Sequence, residues 1–304
     1  MRGVVTQGTG GQWHVRLTDG QVTIAALRGR VKHAGVMKLA VGDEVEVEAD
    51  AGGGVSSIVE ILPRRSRLAR RSPGNAHQER IVVANVDQVL VVLAAARPEP
   101  NAKMLDRFLV IAGSNDLTAR VIINKADLPG AHEVRARFAA YEKLGYPLHF
   151  TSAVTGEGLE GLRPILAGRV SALSGPSGVG KSSLLNAMYP GVNLRVGAIS
   201  DSVNKGRHTT VGALMHPLPD GGFVVDTPGL REVGLWGIDS SDVGACFPEL
   251  AAVLGECRFA DCHHLTEPDC AVRAAVEDGR VSRSRYESYV KLREELEEAE
   301  RERR

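Results

Sequence analysis

The stretch VIINKADL (121–128) closes an apolar run with Asn124-Lys125-Ala126-Asp127, and GPSGVGKSSL (175–184) comes after it in the chain. The second stretch fills every fixed position of G-x-x-x-x-G-K-S. Apolar RVSALS precedes it and helix-forming SSLLNAM comes after it, which is the strand–loop–helix setting the motif requires. Glycines there let the backbone wrap close to a phosphate, so that successive N–H groups point inward at the positive end of a helix. On this reading Gly175, Pro176, Ser177, Gly178, Val179, Gly180, Lys181, Ser182 and Ser183 cradle phosphates. Lys181 reaches the β- and γ-phosphates, and the Ser182 hydroxyl ligates Mg²⁺. A glycine-rich turn that binds nothing is the alternative, and the flanking strand and helix argue against it.

A phosphate loop does not choose between adenine and guanine. Asn124-Lys125-Ala126-Asp127 does, since Asp127 can accept from both the N1–H and the exocyclic amine of guanine. Adenine would leave that carboxylate unpaired. Lys125 can lay its stem over the base while Asn124 ties this loop to the phosphate loop. TSA (151–153) ends the next apolar strand; Ser152 and Ala153 belong to it, and the Ala153 N–H suits guanine O6. DTPG (226–229) closes a further strand, with Asp226 expected to hold Mg²⁺ through water and the Gly229 N–H to sense the γ-phosphate. Between them, GRHTT (206–210) supplies a threonine for Mg²⁺, Thr210 with Thr209 as the alternative. A glutamine that orients the attacking water often comes after such a glycine, but Leu230 stands here and cannot do so. His208 is the nearest group able to accept or relay a proton and is the expected catalytic residue; a solvated loop histidine is the competing reading.

The elements therefore run base reader, TSA, phosphate loop, switch threonine, DTPG. That is the usual cyclic order cut at another point, which a parallel sheet tolerates when the old termini are close. From Ile81 onward strand-like runs alternate with helical patterns, near 103–112 and 132–144 among others, and predict a parallel sheet covered by helices. Residues 1–62 carry short alternating segments between glycine turns and predict a small β-barrel or sandwich, for which an OB-fold is a candidate. The fold expected is thus multidomain: an OB-fold barrel (1–62), a basic linker (63–80), a circularly permuted α/β P-loop GTPase domain (81–235) and a mostly helical zinc-binding domain (236–304). The linker holds six arginines against one glutamate and reads as an exposed tether, equally able to grip phosphates. Trp13 in the barrel is either a stacking platform or core. The last helix interleaves Glu with Arg and Lys, the pattern of a solvated, self-paired surface.

With 304 residues, 43% of them hydrophobic and 24% charged, the chain has the composition of a soluble globular protein of several domains. A formal net charge of +0 leaves any nucleic acid or membrane partner to a local patch. No run is apolar for long enough to span a bilayer or to act as a signal segment, so a cytoplasmic location without membrane is expected. Three of the four cysteines lie close together near the C-terminus. In CRFADCHHLTEPDC, Cys257, Cys262, His264 and Cys270 have the donor types of a closed tetrahedral site for one structural Zn²⁺, with His263 a competitor for His264. Cys246 stands apart and reads as a small core residue.

The motifs together are similar to the ribosome small-subunit-dependent GTPase A family of bacteria. RGVV…VGDEVEV, PRRSRLARR, VANVDQVLVV, LDRFLV, INKADL, SGPSGVGKSSLLN, GRHTTV, DTPGLREVGLW, CFPEL and CRFADCHH…EPDCAV carry the likeness over nearly the whole chain. The resemblance implies an OB-fold, a permuted GTPase domain and a zinc domain. It also implies GTP hydrolysis to GDP, action late in 30S subunit maturation, contact with 16S rRNA, and stimulation by the 30S particle. Matching roles would fall to Asn124, Lys125, Asp127, the 175–183 loop, His208, and Cys257, Cys262, His264 and Cys270 on zinc. Trp13 stands where tyrosine is common, and Cys246 is additional. A monomer is expected. A P-loop kinase or ATPase, and an RNA-binding scaffold without turnover, are the rival readings.

Overall fold

The computed structural model describes residues 1–29, 38–50, 52, 54–72, 75–191, 213–226 and 238–302. Five strands open the chain: β1 Arg2–Thr9, β2 Gln12–Leu17, β3 Val22–Leu27, β4 Glu44–Glu48 and β5 Ser56–Ile61. They close into a barrel in the order β1-β2-β3-β5-β4. Alternation decides which residues fill it: Val5, Val15, Ala25, Val45, Val47 and Ile58 all point in and are buried. Trp13 packs partly buried against this cluster, with its ring against Gly8, so it serves as core.

The arginine-rich stretch expected as an exposed tether is instead a hairpin, β6 Arg67–Ser72 and β7 Asn75–Ala84, paired antiparallel. The reason is an apolar anchor: Leu68 pairs with Val83, and both are fully buried in the main core. Asn85, at φ 55°, ends β7, and a new strand, β8 Gln88–Ala94, starts after it.

One corner fastens the barrel to this hairpin. The Ala84 N–H donates to Val41 O (2.8 Å), the Asn85 amide donates to Gly42 O (2.9 Å), and buried Asp43 accepts from Arg64 Nε (2.6 Å) and Nη2 (2.7 Å).

The central sheet adds β9 Thr118–Asn124, β10 Leu148–Phe150, β11 Val170–Ser174, β12 Leu214–Pro217 and β13 Phe223–Asp226. Its order is β10-β9-β8-β11-β13-β12, parallel throughout except for the antiparallel edge strand β12. Among the described residues four helices accompany it: α1 Ala102–Gly113, α2 Ala131–Lys143, α3 Leu159–Leu166 and α4 Lys181–Met188. All seven residues of β8 are buried, because both faces of the sheet are covered. Leu90, Val92 and Ala94 meet α3 and α4 on one face, while Val89, Val91 and Leu93 meet α1 and α2 on the other. From β8 the chain moves outward through β9 to β10, and then returns to β11 on the opposite side of β8. That reversal opens a crevice at the carboxyl ends of β8 and β11, where α/β sheets bind ligands.

The C-terminal part holds α5 Pro248–Ala251, α6 Ala271–Glu277 and α7 Arg283–Arg301. It shares one core with the α1/α2 face of the sheet, through Phe247, Val272, Tyr289, Leu292 and Leu296. The last helix is therefore more than a solvated surface. Tyr289, Leu292 and Leu296 recur at helical spacing and form a narrow buried seam, and Arg285 and Arg293 are buried beside it.

Candidate functional site

Backbone geometry builds the phosphate loop. Gly175 leaves β11 at φ 135°, and a Cβ there would lie 2.0 Å from Val92 O, so only glycine lets this turn pass strand β8. Gly180 sits at φ 92° immediately before α4, and a Cβ on it would meet the Asn124 amide nitrogen at 2.5 Å. The loop thus closes against the neighbouring strand and delivers the N-terminal N–H groups of α4 to the crevice. Lys181 Nζ lies across the loop, donating to Gly175 O and Pro176 O, each at 2.9 Å. Ser182 sits in the first turn of α4, nearly buried. Ser177 and Gly178 are the exposed tip, and Val179 is buried beneath it.

The 124–127 motif arrives beside this loop because β9 and β11 flank β8, two strand spacings or about 10 Å apart. Asn124 ends β9, is 1% exposed, and donates through Nδ2 to Val179 O at 2.9 Å. Lys125 turns out of the strand at φ 61°, and its ammonium donates to Arg97 O in the loop between β8 and α1. Ala126 N–H is held by Thr151 O (2.9 Å), which stacks the 124–127 turn on the end of β10. Asp127 is exposed at the rim, with one oxygen fixed by the buried hydroxyl of Ser152 at 2.5 Å. That hydroxyl in turn accepts from Val154 N (3.2 Å) and Thr155 N (3.1 Å), so the turn beginning with Ala153 is folded against the same serine. Such a site offers an ordered carboxylate at one end and a cluster of N–H donors with an ammonium at the other. A purine nucleotide di- or triphosphate has the matching polarity.

Asp226 ends β13, where Leu173 of β11 pairs with it, so its backbone lies at the same edge of the sheet. Its side chain, and His208, Thr209, Thr210, Gly229 and Leu230, lie outside the described residues. Two further contributors fall outside the roles that the motifs assign. Thr151, fully buried, donates to Asn124 Oδ1 at 3.3 Å and so orients the amide that bridges the loops. Arg97 acts through its main-chain oxygen, which no side-chain pattern can signal.

Cys257, Cys262, His264 and Cys270 converge separately, with all four donor atoms within 4.8 Å of one another. His264 Nδ1 lies 3.4 Å from the sulfurs of both Cys257 and Cys270. Tetrahedral bonds of about 2.3 Å to sulfur and about 2.0 Å to nitrogen would set such pairs roughly 3.5 Å apart, so the donor set fits one metal ion. Burial holds His264 below the usual histidine range, which favours the neutral ring that ligation needs. Burial, together with the neighbouring Cys270 and Cys257 thiols, pushes the Cys262 thiol up to about 12, and a cation among the donors relieves that crowding. The competing His263 is exposed and only its backbone takes part, donating to Glu267 at 2.8 Å. Glu267 also accepts from Leu265 and Thr266 N–H, while Tyr286 and Tyr289 of α7 donate to His264 O (2.7 Å) and His263 O (2.9 Å). Cys246 packs half-buried against Gly113, and burial pushes its thiol up to about 11, as for a small core residue.

Comparison with known proteins agrees with this architecture. Residues 61–236 match the model of the RsgA GTPase family. The small ribosomal subunit biogenesis GTPase RsgA of Gemmatimonas aurantiaca is 62% identical over 297 residues, covering 97% of each chain. The protein of the same name from Moorella thermoacetica is 43% identical over 290 residues, covering 95% of each. Among solved structures, YjeQ from Thermotoga maritima superposes with a TM-score of 0.79 at 37% identity, covering 97% of this chain and 98% of its own. YloQ, a circularly permuted GTPase, gives 0.74 at 29% identity, covering 98% and 95%. The chain therefore belongs to the RsgA GTPase family, a family of GTP hydrolases with a circularly permuted nucleotide-binding domain.

Proposed function

We propose that this chain hydrolyses GTP to GDP as a late assembly factor of the 30S ribosomal subunit, contacting 16S rRNA and accelerated by the subunit itself. The observation that carries the nucleotide half is the Asn124–Val179 hydrogen bond, which brings the guanine-reading turn and the phosphate loop to one crevice despite their inverted order. The ribosomal half rests on the shared name of its relatives, small ribosomal subunit biogenesis GTPases.

In this reading Asp127 accepts from guanine N1–H and its amine, Lys125 covers the base, Ala126 completes the turn, and Ala153 donates to O6 beside Ser152. The loop from Gly175 through Ser183 cradles the phosphates, and Lys181 neutralises their charge. Mg²⁺, held by Ser182 and Thr210 with Asp226, would screen the β- and γ-phosphate oxygens when bound. Gly229 senses the γ-phosphate, and His208 orients the attacking water. Cys257, Cys262, His264 and Cys270 hold one structural Zn²⁺, and the chain acts as a cytoplasmic monomer. No helix among the described residues is long and apolar enough to cross a membrane.

Two measurements test the reading. Asp127→Asn should move preference from GTP to XTP, because the amide can donate where xanthine carries an oxygen; unchanged GTP affinity would refute the base assignment. Phosphate release should rise on adding purified 30S particles, and equal rates with and without them would remove the ribosomal half.

A further inference from the structure

Two sequence motifs, LDRFLV (105–110) and CFPEL (246–250), have no part in the nucleotide chemistry, yet both lead to one buried arginine. Arg285 of α7 donates from Nη1 to Asp106 Oδ1 at 2.6 Å, and from Nε and Nη2 to Glu249 at 2.6 and 3.0 Å. Tyr141 of α2 donates to the same Asp106 oxygen at 2.7 Å. Asp106 is completely buried and Arg285 is 5% exposed, so neither charge has water to fall back on. The Arg285 guanidinium also lies 4.5 Å above the Phe247 ring. Burial opposes its charge, but the hydrogen bond to Glu249 and the charge of Asp106 outweigh this and raise Arg285 above the usual arginine range.

Helices α1 and α2, which carry Asp106 and Tyr141, begin at the nucleotide crevice. The loop leading into α1 contributes Arg97 O, which holds the Lys125 ammonium, and Pro98, whose Cδ lies 3.9 Å from a Cβ built on Gly178. Arg137 of α2 ties that loop down by donating to Pro100 O at 3.1 Å, and Asn101 caps α1 through Met104 N–H. Helix α2 itself comes directly after the 124–127 turn. Both helices that leave the base side of the crevice thus meet at Asp106, against Arg285. The next turn of α7, through Tyr286 and Tyr289, holds the backbone of the metal knuckle.

We infer that Arg285 is a positioning residue for the nucleotide site: its ion pair with Asp106 fixes α1, and so fixes Arg97 and Pro98 against Lys125 and the phosphate loop. Guanine nucleotide and the C-terminal metal knuckle are then coupled, each stabilising the other by the same factor. This inference rests on the proposed nucleotide and metal sites. A rigid chain of helix and buried ion pair carries it, without use of residues 227–237.

The test uses the full chain, with metal content and fluorescent-GDP binding measured first on the unmodified protein. Absence of either would count against the proposed function, not against the coupling. Asp106→Asn, folded and carrying one metal, should release GDP about fivefold faster or more, with hydrolysis at saturating GTP within about twofold. Arg107→Gln breaks the exposed Arg107–Glu295 pair (2.6 Å) between the same two helices and should leave GDP release unchanged. Unaltered release in Asp106→Asn, or equal acceleration in Arg107→Gln, would overturn the inference. If Asp106→Asn does not fold, the unmodified protein still decides: saturating GDP should slow metal loss to a chelator severalfold, and identical rates with and without GDP would overturn the coupling.

Discussion

The amide nitrogen of Asn124 lies 2.9 Å from the main-chain oxygen of Val179 and joins two loops 55 residues apart in sequence. In the unpermuted order such loops are separated the other way round, so the contact depends on the sheet, not on chain direction. It survives the cut because β9 and β11 both flank β8, whatever order the strands are made in.

Removing that bridge gives the first prediction. Asn124→Ala leaves the Thr151 hydroxyl and Val179 O without their buried partner, at a cost of about 1–3 kcal/mol. Part of this is lost from nucleotide binding, since the two loops are no longer held in register. The GDP dissociation constant should rise on the order of tenfold, read by titration calorimetry, while far-ultraviolet circular dichroism stays unchanged.

Gly175→Ala is expected to be far more damaging than its size suggests. Its methyl would lie 2.0 Å from Val92 O on a backbone at φ 135°, so β11 must separate from β8 or the turn must unwind. Strain and clash together cost about 3 kcal/mol or more. Both GDP binding and thermal stability should be lost, and a variant that melts normally and binds GDP would contradict this account of the loop.

The motifs that the structure brings together at the candidate site could be picked out in the sequence because each is a short run of neighbouring residues. A loop whose backbone must pass within contact of β8 has to carry glycine at Gly175, and Cys257 to Cys270 are donors within one short segment. The hairpin of β6 and β7 was not legible, since the six arginines of 63–80 dominate the pattern and hide the apolar anchor formed where Leu68 pairs with Val83. The buried face of α7 was hidden for a related reason. Arg285 reads as surface until Asp106, 179 positions away, and Glu249 are seen to surround it. Long-range charge pairing leaves no periodic trace.

Glu267 supplies a pH-dependent prediction. Burial opposes its charge, but its own N–H and those of His263, Leu265 and Thr266 donate to it and bring its pKa down to about 2. A carboxylate lowered in the folded state contributes stability above its ordinary unfolded range, and loses it as pH falls toward the folded value. The melting-temperature difference between the unmodified protein and Glu267→Gln should therefore be constant from neutral pH to about pH 5 and shrink between there and about pH 2. A difference that grows on acidification would show that these backbone bonds do not favour the ionised form.

At the barrel's corner, Asp43 is completely buried and receives three hydrogen bonds, from Arg64 Nε (2.6 Å), Arg64 Nη2 (2.7 Å) and Ala40 N (2.8 Å). The Arg64 side chain is only 8% exposed and also donates to Lys38 O at 2.8 Å, so it cannot swing into water without breaking the corner. Asp43→Ala strands this guanidinium and costs about 3–5 kcal/mol. Replacing both partners, as Asp43→Ala with Arg64→Met, removes the stranded charge and should recover a substantial part of that loss. Denaturant unfolding of the two variants decides the matter: if the double variant is no more stable than Asp43→Ala, the cost comes from the Ala40 turn and not from the unpaired arginine.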